Sequence, residues 1–164
     1  MARFPIRTLG DPVLNIPADP VTEFDSALEG LIGDMLETMY DAPGVGLAAP
    51  QIGISKRLFV ADIGDGPFVM ANPELVATSG EWEMDEGCLS VPGHFWPIAR
   101  AGYARAVGVD ETGSPVEYEG DELMGRVLQH EIDHLNGTLL LERLDRKIRK
   151  QALKEIREES LGLR

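Results

Sequence analysis

Gln129-His130-Glu131-Ile132-Asp133-His134-Leu135 is the stretch from which the rest of this chain can be read. On a helix the i, i+4 spacing puts the imidazoles of His130 and His134 on one face, close enough to share a cation. Glu131 then stands beside that cation as a general base for an activated water. In the blander reading, both histidines are hydrogen-bonded core residues and the glutamate is incidental; the mechanistic constraint on the motif favours the metal. Leu123, Met124, Val127, Leu128, Ile132 and Leu135 predict the surrounding helix, buried on its apolar face, from about Asp121 to a stop at Asn136-Gly137.

Two protein ligands hold a catalytic cation poorly, and hydrolytic sites commonly supply three and leave the fourth position to water. A metzincin would place a third histidine six residues after His134, but that position is Leu140. A thermolysin-like site would use a distal carboxylate, for which Glu155, Glu158 and Glu159 are available, although charged terminal segments usually form a solvated face. Cys88, the only cysteine, cannot form an internal disulfide. It lies in Asp85-Glu86-Gly87-Cys88-Leu89-Ser90, where glycine permits close backbone approach and a thiol deprotonates beside a divalent cation. A lone cysteine is more often a packing residue, but the missing ligand and the polar setting make Cys88 the best third donor. Open alternatives are a metallohydrolase with a distal glutamate ligand and a non-catalytic protein with a structural metal.

Outward from these motifs, residues 22–40 carry Phe24, Leu28, Leu31, Ile32, Met35 and Met39 at helical spacing, with Thr22 and Asp25 as a capping pair. The run 44–51 is too rich in glycine and alanine for an ordinary helix and predicts tight backbone packing. Residues 58–61, 67–70, 103–109 and 116–119 read as antiparallel strands. The charged tail 145–159, with Leu144, Ile148, Leu153 and Ile156 as an apolar stripe, reads as a helix lying on the body. Together these predict an α+β fold, one domain over residues 1–164, with antiparallel strands surrounding the histidine-bearing helix and a further helix towards each terminus.

A net charge of −13, from 28 acidic and 15 basic residues, argues against a surface built mainly for nucleic acid phosphates, with no direct DNA binding expected, or for anionic membranes. The N-terminal residues lack the apolar stretch of a secretory signal and no segment has the length of a membrane span, so a soluble cytoplasmic protein is expected.

Three stretches, Gly44-Val45-Gly46-Leu47-Ala48-Ala49-Pro50-Gln51, Glu86-Gly87-Cys88-Leu89-Ser90 and Gln129 to Leu135, together resemble the signatures of the peptide deformylases. Their order, their spacing and the chain length agree with that family, and the resemblance covers nearly the whole chain. It implies removal of the formyl group from the N-formylmethionine that begins newly made bacterial and organellar polypeptides. It implies one divalent metal ion, natively Fe(II), although two imidazoles and a thiolate also suit Zn(II), Ni(II) or Co(II). It assigns oxyanion stabilisation to the side-chain amide of Gln51 and the backbone N–H of Leu89. Without the resemblance, Gln51 reads as a loop residue satisfying local backbone groups.

For the methionine and the peptide behind it, the candidate contacts are Val45, Gly46, Leu47, Glu86, Gly87, Arg100 and Val127, the apolar ones mostly equally suited to a plain core. Arg100 can bind peptide carbonyls or pair with a carboxylate, and Glu86 can orient the cysteine loop or be solvated. His94 falls outside any ligand pattern and is expected at the surface or rim. Pro43 and Gly125 depart from residues common in the family, leaving loop shape and helix stability open. Arg143, Arg146, Lys147, Arg149, Lys150, Lys154 and Arg157 concentrate basic charge near the end of an acidic chain. That is either a salt-bridged surface helix or, as the resemblance implies, a contact with the ribosome, from which the substrate emerges.

Overall fold

The computed structural model describes residues 3–163, leaving Met1, Ala2 and Arg164 outside the description. Helix α1 (Ser26–Asp41) is followed by strands β1 (Gly46–Ala48), β2 (Leu58–Ala61), β3 (Phe68–Ser79), β4 (Trp82–Cys88), β5 (Val91–Arg100), β6 (Tyr103–Val109) and β7 (Pro115–Asp121). Helices α2 (Glu122–Leu135) and α3 (Arg146–Ser160) complete the order. Five strands form an antiparallel sheet in the order β1-β2-β3-β6-β7, while β4 and β5 pair as a separate antiparallel ribbon. This is the α+β arrangement expected from the patterning.

All of β2 is buried, which a strand achieves only with a layer on each face. Leu58 and Val60 pack with Leu28, Ile32, Met35 and Met39 of α1. Phe59 and Ala61 pack with Val127, Leu128, Ile132 and Leu135 of α2. The same alternation in β1 sends Leu47 to the α1 side and Ala48 to the α2 side. A third cluster seats the ribbon residues Val91, Trp96 and Ile98 on Leu140, Leu141, Leu144 and Ala152 from the end of the chain.

Several boundaries differ from the expectation. Helix α1 begins at Ser26, and its cap is Asp25, whose extended backbone lets the carboxylate accept from the Leu28 N–H at 3.0 Å. Asp25→Ala is expected to cost about 1 kcal/mol and lower Tm by roughly 2–4 °C in a thermal melt. Strand β3 runs to Ser79, far past the predicted 67–70; register shifts at Ala71/Glu74 and Leu75/Ala77 interrupt the alternation by which its length would be read. Helix α2 is buried as expected and runs unbroken through Gly125, where a Cβ would stand 2.7 Å from the Gly120 carbonyl oxygen. The predicted apolar stripe at the end of the chain is only half used: Leu144 and Ile156 join the third cluster, whereas Ile148 and Leu153 are 39% and 41% exposed. Among the described residues no helix is long and apolar enough to cross a membrane.

Candidate metal centre and active cleft

Helix α2 presents His130 and His134 on one face, and β4 ends at Cys88 opposite them. Cys88 Sγ lies 3.3 Å from His134 Nε2, which lies 3.2 Å from His130 Nε2. All three donor atoms fall within 4.8 Å of one another. Ligands about 2.0–2.3 Å from one tetrahedral ion are separated from each other by roughly 3.3–3.6 Å, so this donor set fits a single divalent cation. None of the distal glutamates joins it: Glu155 accepts from Gln151, Glu158 pairs with Lys154, and Glu159 pairs with His94.

Burial would push the Cys88 thiol up, but His134 and His130 beside it outweigh burial and hold it well below the usual thiol range. For His130, burial opposes the charged form, yet Cys88 and Glu86 hold it well above the usual imidazole range. The site thus favours the thiolate, which is the form that ligates a cation.

Glu86 is buried and its carboxylate is fully engaged. Its Oε1 accepts from Arg100 Nε at 2.8 Å and Arg126 Nη1 at 2.7 Å. Its Oε2 accepts from Arg100 Nη2 at 2.8 Å and faces His130 Nδ1 at 2.8 Å. Burial would raise this carboxyl, but the bonds from His130 and Arg100 hold it far below the ordinary carboxylate range. Arg100 continues to Asp133 Oδ2 at 2.9 Å, and Asp133 in turn pairs with Arg143 at 2.7 Å. An acceptor on the far nitrogen of a ligating histidine fixes the ring and its tautomer.

Glu131 is 1% exposed, its Oε1 has no hydrogen-bond partner among the described residues, and burial raises its carboxyl above the usual range. Gln51 follows β1 in a 3-10 turn at Ala49–Ile52, with Oε1 accepting from the Ala48 N–H at 2.9 Å. Its amide nitrogen reaches Ser90 Oγ at 3.1 Å and Cys88 Sγ at 3.6 Å, which aims the amide at the ligand cluster. Leu89 and Ser90 form the two-residue turn between Cys88 and its partner Val91.

These residues open on a cleft of about 740 Å³ lined by, among others, Val45, Gly46, Gln51, Glu86, Gly87, Leu89, Val127, His130 and Glu131. Three of the expected substrate contacts need correction. Leu47 is fully buried against α1, because a strand sends neighbouring side chains to opposite faces and Gly46 takes the cleft side. Arg100 is buried behind the cluster of Cys88, His130 and His134, paired with Glu86 and Asp133, so its guanidinium is spent within the protein. Glu86 reaches the cleft lining but has no free oxygen to offer a peptide. His94 lies at the rim as expected, stacked on Trp96 and bonded to Glu159 at 2.8 Å. Ser90, Arg126 and Asp133 escaped the sequence reading. For Arg126 a signal existed, since it precedes His130 by four residues on the same helical face.

The profile of the polypeptide deformylase family matches residues 4–150. A peptide deformylase of Acidothermus cellulolyticus is 53% identical over 158 residues, covering 96% of this chain and 88% of its own. The crystal structure of a peptide deformylase from Legionella pneumophila superimposes with a TM-score of 0.91 at 45% identity, covering 99% of each chain. One from Synechococcus elongatus, in complex with actinonin, gives 0.88 at 40% identity, covering 93% of this chain and 85% of its own. A cysteine and two histidines brought together by β4 and α2, in a chain this similar over nearly its full length, establish that it belongs to the peptide deformylases, the hydrolases that deformylate nascent polypeptides.

Proposed function

We propose that Cys88, His130 and His134 hold one divalent cation and that Glu131 is the base for hydrolysis of N-formylmethionyl peptides. The convergence of the three donor atoms within 4.8 Å carries this reading. A cation bound there would supply Lewis acidity, making water nucleophilic near neutral pH and drawing charge from the formyl oxygen. Glu131 takes the proton from the attacking water and delivers it to the nitrogen of the departing methionine, releasing formate. Its burial and its raised carboxyl support that role, because a base that must later act as an acid works best near the operating pH.

Gln51, held through Ala48 and Ser90, donates to the oxygen on which negative charge develops, and the Leu89 N–H donates beside it. Val45, Gly46, Gly87 and Val127 line the cleft that receives the methionine and the peptide behind it. Fe(II) is the proposed native ion, with Zn(II), Ni(II) and Co(II) accepted by the same donors. The substrate places the enzyme in the bacterial cytoplasm. The exposed basic residues of α3, among them Lys147, Lys150 and Arg157, support contact with ribosomal RNA near the emerging chain.

Removal of metal by a chelator is expected to abolish formate release from formyl-Met-Ala-Ser, and readdition of Fe(II) without oxygen, or of Ni(II), to restore it. Cys88→Ser is expected to weaken metal retention by more than the about 10–100-fold typical of losing an outer partner of a ligand. Full metal content and activity in that variant would remove Cys88 from the ligand set.

A further inference from the structure

Gly46 sits where glycine is a poor choice. It opens β1, pairs with Ala61 in the ladder, and its backbone is ordinary extended strand with no positive φ. Glycine weakens a strand, and nothing in this conformation excludes a side chain. The obstacle is on the facing helix. A Cβ at position 46 would stand 2.8 Å from Glu131 Oε2, 2.9 Å from its Cδ and 3.1 Å from its Cγ. The alternation of β1 turns this position towards α2, and the Glu131 carboxylate occupies the space that a Cβ would take.

We infer that Gly46 is a positioning residue for the reaction: its missing side chain is the seat of the Glu131 carboxylate and sets where the base stands in the cleft. This rests on the reading of Glu131 as general base. The colliding atoms belong to the far end of a side chain, so the strand can accept a methyl group by displacing the carboxylate. Glu131 is 1% exposed and lines the cleft, so a displaced carboxylate moves into the reaction space. The fold is therefore expected to tolerate the change, while proton transfer, which depends on sub-ångström placement, is not.

The test is a double-mutant cycle of Gly46→Ala with Glu131→Asp, whose side chain is one methylene shorter and leaves room for the added methyl. Gly46→Ala alone is expected to lower kcat for formyl-Met-Ala-Ser by about 100-fold, with KM within about 3-fold. Metal content should match the parent and Tm should move by less than about 4 °C. In the Glu131→Asp background the same substitution is expected to cost less than about 3-fold, because the carboxylate no longer occupies the seat. Losses that multiply would overturn the inference, as would a loss confined to KM, which would mean that the methyl blocks the peptide. Loss of metal or fold in Gly46→Ala would overturn it too, since the glycine would then serve the strand rather than the base. If Glu131→Gln alone keeps the parental rate, it is the assignment of the base that fails; if Glu131→Gln is inactive and Gly46→Ala is not, only the seat fails.

Discussion

Glu131→Gln is expected to keep its metal and its fold while losing about 10²–10⁴-fold in formate release from formyl-Met-Ala-Ser. Glutamine preserves the length and volume that fit against Gly46, so the packing of α2 on β1 is retained. It cannot accept a proton from water or return one to the leaving amine. Glu131 is not among the three clustered donors, so metal content should be unchanged. Measuring bound metal and kcat on one preparation separates the outcomes. Activity near the parental level would remove Glu131 from proton transfer, and joint loss of metal and activity would make it part of the metal's support.

The second large effect lies behind the ligands. Glu86→Ala is expected to cost about 3–5 kcal/mol, because it leaves buried guanidinium charge uncompensated. Arg100 and Arg126 are 7% and 3% exposed and share this one carboxylate. After its removal Arg100 keeps Asp133, but Arg126 keeps only the Trp82 carbonyl and the face of the Trp82 ring, 5.2 Å away. For a chain of this size the cost corresponds to a Tm lower by roughly 6–20 °C. His130 also loses the acceptor on its Nδ1, so a further drop of about 10–100-fold in metal affinity is expected in a chelator competition. A Tm within about 2 °C of the parent would show that the two arginines find other partners or water.

The histidine pair, the glutamate between them and the burial of α2 were legible because they depend on spacing along a single helix. Cys88 was legible by subtraction, since two imidazoles demanded a third donor and the chain holds one cysteine. The misreadings share a cause. Leu47 and Gly46 are neighbours, and which of them meets the cleft depends on strand parity against two helices. Arg100 offered two partners in the sequence, and the ribbon β4-β5 brings it onto Glu86 and under Asp133. The length of β3 was hidden by register shifts, which break the alternation that makes a strand visible.

By itself, then, the sequence determined the α+β class, the helix that carries both histidines and the family to which its motifs point. These follow from local periodicity and from residue chemistry that few sites require. Only the tertiary structure decided that Glu86 belongs to the support of His130 rather than to the substrate, that Leu47 belongs to the core, and that Gly46 faces the Glu131 carboxylate. Those are contacts between segments distant along the chain, and the direction of a side chain across a sheet changes with every residue.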